Sequence, residues 1–202
     1  MITGLPILWK MWVQYVCSNP VIGFDRNALM MDLTREVLRP VAEALVARGY
    51  RLLHLLEPWL PYHGIEAADW AEFEKAMLEL REVTRGATLV LHASFGDAGP
   101  HVDRLRSLPV DAVGIDFVDT DLDELGGGWT VGCAAGILDG RRSPIEDAEG
   151  AAALAQRIAE TLEPPALYLT SSCELEFLPT DVARAKVLRL GAVSRLVKER
   201  IG

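Results

Sequence analysis

Six times along this chain a short apolar run gives way to a segment whose apolar residues recur at helical spacing, and this alternation constrains the fold more than any other feature. A buried parallel strand reads as a continuous apolar run because both of its faces are covered. Returning the chain to the same sheet edge then requires a crossover, usually a helix. The runs are Ile2 to Trp9, YRLLHLLEPWL from Tyr50, TLVLHAS from Thr88, DAVGIDFV from Asp111, WTVGCAAGILDG from Trp129 and ALYLTSS from Ala166. Between them, Asn27 to Arg48 carries apolar residues at Leu29, Leu33, Val37, Val41 and Leu45. Asn27 is placed to cap this helix, Pro40 to kink it and Gly49 to stop it. Ala67 to Thr84, Val102 to Leu108, Glu149 to Leu162 and a terminal segment from Asp181 supply the remaining helices, with at most a helical turn from Asp121 to Leu125.

Alternating strands and helices predict parallel βαβ units with right-handed crossovers. Six units leave two architectures open. One is an open doubly wound sheet; the other is a TIM-like (β/α) barrel short of the eight strands and roughly 250 residues that closure takes. The 202 residues, half of them hydrophobic, are enough for one sizeable core and predict a single domain over residues 1–202.

The formal net charge is −9, from 29 acidic and 20 basic residues, so there is no basic field to attract nucleic acid or an anionic membrane. Cys17, Cys133 and Cys173 are odd in number and far apart, unlike a disulfide framework, which fits a reducing cytoplasm. The apolar opening MITGLPILWKMWVQYVC is broken by Gly4 and Pro6, has no basic leader, and falls short of the ~20 residues of a membrane span. It reads as a core strand and helix.

Chemistry-bearing residues gather where the strands end. ALYLTSSCELEFLP carries Cys173 just past the last strand, TLVLHASFGD carries His92 and Ser94, and DAVGIDFVDTD carries Asp116. The C-terminal edge of a parallel sheet is where such folds place their sites. A thiolate, an imidazole and a carboxylate on three strand tips make a candidate zinc constellation. Glu57 after HLL and Asp139 after GIL are also strand-end acids, and an unpaired buried carboxylate is costly enough to demand a partner. Singly, each has a plain structural reading: a core histidine, a buried small thiol, a turn-forming aspartate before Gly140.

Five of these stretches, in order, resemble motifs of the C-terminal catalytic barrel of cobalamin-independent methionine synthases. ITGLPILWK resembles an ITGPVTLLK-type strand, HLLEPWL resembles QIDEPAL, and DAVGIDFVDTDLDEL resembles DVISIE followed by serines and DELL. GILDGRRSP resembles GVYDIHSP, and LTSSCELEFLP resembles VNPDCGLKTR. The resemblance implies a barrel present from its third unit onward, with the first two absent. It also implies a zinc ion that binds the sulfur of a homocysteine-like thiol and readies it for methylation.

Carried over position by position, the resemblance places the metal on His92, Ser94, Asp116 and Cys173, with Glu57 and Asp139 orienting substrate. Ser94 stands where the family has cysteine, Asp116 where it has glutamate, Leu56 where it has an acid, and Arg141 where it has the histidine of DIHSP. A neutral hydroxyl is a poor zinc ligand, and an arginine cannot deliver a proton to a folate donor at neutral pH. The expected activity is a zinc-dependent methyltransferase, with a corrinoid protein as a possible methyl donor and an oligomer or partner chain completing the barrel. Two other readings stand beside it. One is a divergent, non-catalytic or split-barrel relative; the other is a metal-free protein like uroporphyrinogen decarboxylase.

Overall fold

A computed structural model of the chain describes residues 2–3, 26–65 and 67–201. Its centre is one parallel sheet of six strands: β1 (Ile2–Thr3), β2 (Leu52–Glu57), β3 (Thr88–Ala93), β4 (Ala112–Asp116), β5 (Gly132–Leu138) and β6 (Leu167–Ser171). They lie side by side in chain order, β1 to β6, every pair parallel. A doubly wound sheet reverses direction at a switch point. This sheet does not, and it is therefore a length of barrel wall, a partial TIM-like barrel. Beyond Thr3 the first expected strand lies outside the described residues, as does Cys17.

The helices between the strands are α1 (Arg26–Leu33), α2 (Arg39–Ala47), α3 (Trp59–His63), α4 (Ala67–Thr84), α5 (Val102–Ser107), α6 (Ala148–Leu162) and α7 (Thr180–Ile201). The first two form one helical run joined by a π-turn at Thr34–Leu38, where the Arg39 N–H bonds to Thr34 O. The wider turn sits just before Pro40, whose ring and missing N–H disfavour a regular α-turn, so the expected kink is realised as a π-bulge. The helix is described from Arg26 onward, so Asn27 lies within it and not at the cap. Helix α6 is capped by Asp147, whose carboxylate accepts the Gly150 N–H at 2.8 Å. The short helix α3, directly after β2, was not anticipated from the sequence.

Alternation along β3, β4 and β5 splits the middle of the sheet into two buried faces. Leu53, Leu55, Leu89, Leu91, Val113, Ile115, Cys133 and Ala135 pack outward with helix residues such as Phe73, Met77, Leu105 and Ile158. Val90, Ala112 and Ala134 occupy the inner face with Tyr168 beside them. Burial on both faces explains why the strands read as unbroken apolar runs and show no alternation of polar residues. The small inner residues of β4 and β5 make room for large ones on neighbouring strands. A Cβ on Gly114 would lie 2.5 Å from the Cγ of His92, so the imidazole rests on bare backbone there.

Candidate functional site at the C-terminal mouth of the sheet

His92 pairs in register with Leu56 on one side and Gly114 on the other, which directs its ring across the inner face. It is fully buried. Its Nδ1 lies 3.1 Å from Nε2 of His54. The two rings are within 3° of parallel with centroids 5.2 Å apart, so the nitrogens meet nearly head-on in a hydrogen bond. Burial pushes His92 down to about 3 and His54 down to about 4, leaving both imidazoles neutral at pH 7. The Nε2 of His92 and the Oγ of Ser94 are buried without hydrogen-bond partners among the described residues.

Glu57 is also fully buried, but it caps helix α3: its Oε1 accepts the Trp59 N–H at 3.0 Å. By alternation it falls on the side of Leu53 and Leu55, the outer, helix-covered face. Burial raises it to about 8, opposed by the backbone donors of Trp59 and Leu60.

Asp116 ends β4 with no exposed surface. Its Oδ1 accepts the Val118 N–H at 3.0 Å, while Oδ2 faces the guanidinium of Arg141 at 3.5 Å. Burial raises its carboxyl to about 6, with Arg141 pulling the other way. Arg141 also bonds Asp119 and, through Nε, Asp139 at 3.4 Å. Asp139 turns back to accept the Arg141 N–H at 2.8 Å. A register shift in β5 between Gly136 and Leu138 lies just before this turn, a position where bulges re-aim the residues that follow.

Above the guanidinium, at 6.0 Å, lies the ring of Phe95, which meets Phe177 edge-on at 5.7 Å. Phe95 holds a left-handed φ of 65°, a strained conformation for an aromatic residue. Cys173 closes the group from β6. Its sulfur sits against Gly140, where an added Cβ would approach to 2.7 Å. Burial raises its thiol to about 11, so it is protonated at neutral pH.

The fold thus brings Asp116, Asp139 and Cys173 to one edge, with His92 on β3 and Ser94 just past its end nearby. It does not build the expected zinc centre from them. Among the described residues, no three His, Cys, Asp or Glu side chains stand close enough to hold one ion. Asp116 faces a guanidinium, His92 is bonded to a second imidazole through Nδ1, and Ser94 replaces the thiolate. This donor set does not fit zinc.

Sequence reasoning passed over His54, Asp119, Phe95 and the clamping role of Arg141. The last had a signal: a cation two residues after a strand-end acid, in a chain where neighbouring strands also end in acids.

The fold and its strand-end cluster define a partial parallel β/α barrel with an acid-rich, arginine-clamped mouth. Residues 17–163 match the family described as cobalamin-independent synthase, N-terminal domain, and the chain belongs to that family. The family match is to the N-terminal domain, whereas the motif resemblance pointed to the C-terminal catalytic barrel. Similar curated proteins include the 5-methyltetrahydropteroyltriglutamate–homocysteine methyltransferase of Nitratidesulfovibrio vulgaris strain Hildenborough, 28% identical over 91% of this chain and 25% of the relative. The enzyme of the same name from Neisseria gonorrhoeae is 30% identical over 83% of this chain and 22% of the relative. The chain therefore spans about a quarter of the length of these relatives.

Among solved structures, a B12-independent methionine synthase from Shewanella sp. W3-18-1 in complex with selenomethionine superposes with a TM-score of 0.71 at 18% identity, over 90% of this chain and 58% of the other. A methyltransferase from Methanosarcina mazei gives 0.58 at 11% identity, over 92% and 53%. Both support the barrel-type fold. The family's description as cobalamin-independent weighs against the corrinoid donor expected from the sequence. No helix among the described residues is long and apolar enough to cross a membrane.

Proposed function

We propose that this chain serves methylation of a homocysteine-like thiol as a substrate-holding barrel module, and that the metal-bearing part of the reaction lies outside its described residues. The observation that carries this reading is Arg141, whose guanidinium stands beside the buried Asp116 where the resemblance called for a metal ion. The family and its named relatives supply the reaction class. They favour this class over a uroporphyrinogen decarboxylase-like activity.

The site's own chemistry is binding and orientation. Asp116, Asp119 and Asp139 face Arg141, with the exposed Arg142 reaching Asp139 at 3.5 Å. Three carboxylates against two guanidinium groups leave a net negative mouth, suited to the α-ammonium of an amino acid. Arg141 fixes the three carboxylates that would meet that ammonium. Cys173 and Phe95 supply soft and apolar surface for a sulfur-containing side chain. The neutral His54–His92 pair and the protonated Cys173 are poor bases at pH 7, so the described residues hold a thiol and do not ionise it. Completion of the wall by further βα units, from a partner chain or another part of the same protein, belongs to this reading. The outer edge of β6 carries no strand among the described residues.

Calorimetric titration with L-homocysteine tests it, using the wild type and Arg141→Ala. The expected result is binding by the wild type, weakened about tenfold or more in the variant, because charge-assisted hydrogen bonds are lost. Incubation with zinc, homocysteine and methyltetrahydrofolate should give no turnover by the isolated chain. Turnover, or one zinc per chain by elemental analysis, would overturn the reading.

A further inference from the structure

We propose that Lys186 is a positioning residue for the strand-end cluster, acting from the last helix through Glu146 on the loop that presents Asp139 and Arg141. That this cluster binds substrate rests on the reading above; the positioning itself does not.

Lys186 lies on α7 with its side chain fully buried. All three ammonium protons are used: Nζ donates to Pro144 O at 2.7 Å and to the two oxygens of Glu146 at 2.7 and 2.9 Å. Oε1 of Glu146 also accepts the backbone N–H of Asp139 at 2.8 Å. Asp139 in turn holds the Arg141 N–H, and Arg141 reaches Asp116 and Asp119. An unbroken path of hydrogen bonds and ion pairs thus runs from α7 to the end of β4. It crosses the segment between β5 and α6, which has no helix or strand of its own.

An apolar side chain would anchor α7 to the wall without the desolvation that a buried ammonium suffers, and such replacements of buried ion pairs are often neutral or stabilising. What the ion pair adds is direction. A carboxylate gripped at both oxygens has one orientation, and the lone pair it turns toward Asp139 fixes where the loop leaves β5. The same grip on Pro144 O pins the loop at a second point five residues on. With both ends held, the Asp139–Arg141 turn is presented in one conformation and does not sample several.

The test is Lys186→Met, which keeps the stem's bulk and removes the charge, read by local hydrogen exchange and by homocysteine titration. Expected are a lower but still cooperative melt, because Glu146 is left without its cation, amide exchange across residues 139–147 faster than the rest of the chain by about tenfold or more, and homocysteine affinity weaker by about the same factor. A folded variant with wild-type exchange across 139–147 would overturn the proposal. So would a fall in melting temperature with exchange faster everywhere alike, the mark of a plain anchor. If Lys186→Met does not fold, the double variant Lys186→Met/Glu146→Gln carries the same readout, because an amide oxygen still reaches the Asp139 N–H while no buried charge is left unpaired. Failure of the wild type to bind homocysteine would strike the substrate reading alone and leave the exchange result to decide this one.

Discussion

Arg141 and Asp116 come from the ends of adjacent strands, and the guanidinium stands 3.5 Å from the one carboxylate oxygen of Asp116 that has no hydrogen bond. Burial pushes Asp116 up to about 6 while Arg141 holds it down. Replacing Arg141 with Met should therefore move the Asp116 titration to higher pH, leaving it largely protonated at neutrality. Carboxyl-carbon NMR of the variant, assigned by Asp116→Asn, reads this directly. An unchanged midpoint would mean that the two side chains are not electrostatically coupled.

Glu57 makes stability fall with rising pH. Its folded value, about 8, lies above the ordinary carboxyl value of 4.5, so the folded state holds a proton that the unfolded chain has released. The contribution is complete below about 4.5 and is lost as pH rises toward 8. Glu57→Gln keeps an acceptor for the Trp59 N–H and removes the titration. Its melting temperature should gain on the wild type progressively from pH 5 to about pH 9, by the equivalent of a few kcal/mol at most. A constant offset across that range would show that Glu57 ionises freely.

The His54–His92 pair works in the opposite sense. Both folded values are depressed, to about 4 and about 3, so the unfolded chain takes up protons first. Their contribution is present above about 6.5 and is lost as pH falls through 4 toward 3. His92→Leu should flatten the acid limb of a stability–pH curve. A limb as steep as that of the wild type would assign acid unfolding to other groups.

Much of this architecture was legible in the sequence, for a physical reason. A parallel sheet covered on both sides turns each strand into an apolar run, so β2 to β6 stand out from their surroundings, and Gly49 and the Pro40 region mark the ends and irregularities of the helices. Strand order was not legible, because βαβ units look alike in doubly wound sheets and in barrels. Strand-end residues could be placed at the correct edge, as Asp116 and Cys173 were, but which way each pointed depended on register. Glu57 illustrates this: one residue along from Leu56, it turns outward to cap α3. The grip of Lys186 on Glu146 joins residues 40 positions apart, with neither partner in a recognisable motif.

The margins of the sheet lead to a fourth expectation. All five residues of β6 are only partly buried, and α7 beside it exposes Val187 and Leu188. Unpaired strand margins next to apolar helix surface invite association. Sedimentation velocity across a concentration series should show self-association, reduced by Leu188→Lys. A single monomeric species at every concentration would show that the margin is already protected.

The chain-order arrangement of the wall has a bearing on its ancestry. Every described strand pairs with its nearest neighbours in sequence, so duplication or loss of a βα unit at either margin leaves the remaining pairs in register. Heredity can thus act on such a wall one unit at a time. Each length of it still carries a row of strand tips at one edge, where folds of this kind place their chemistry.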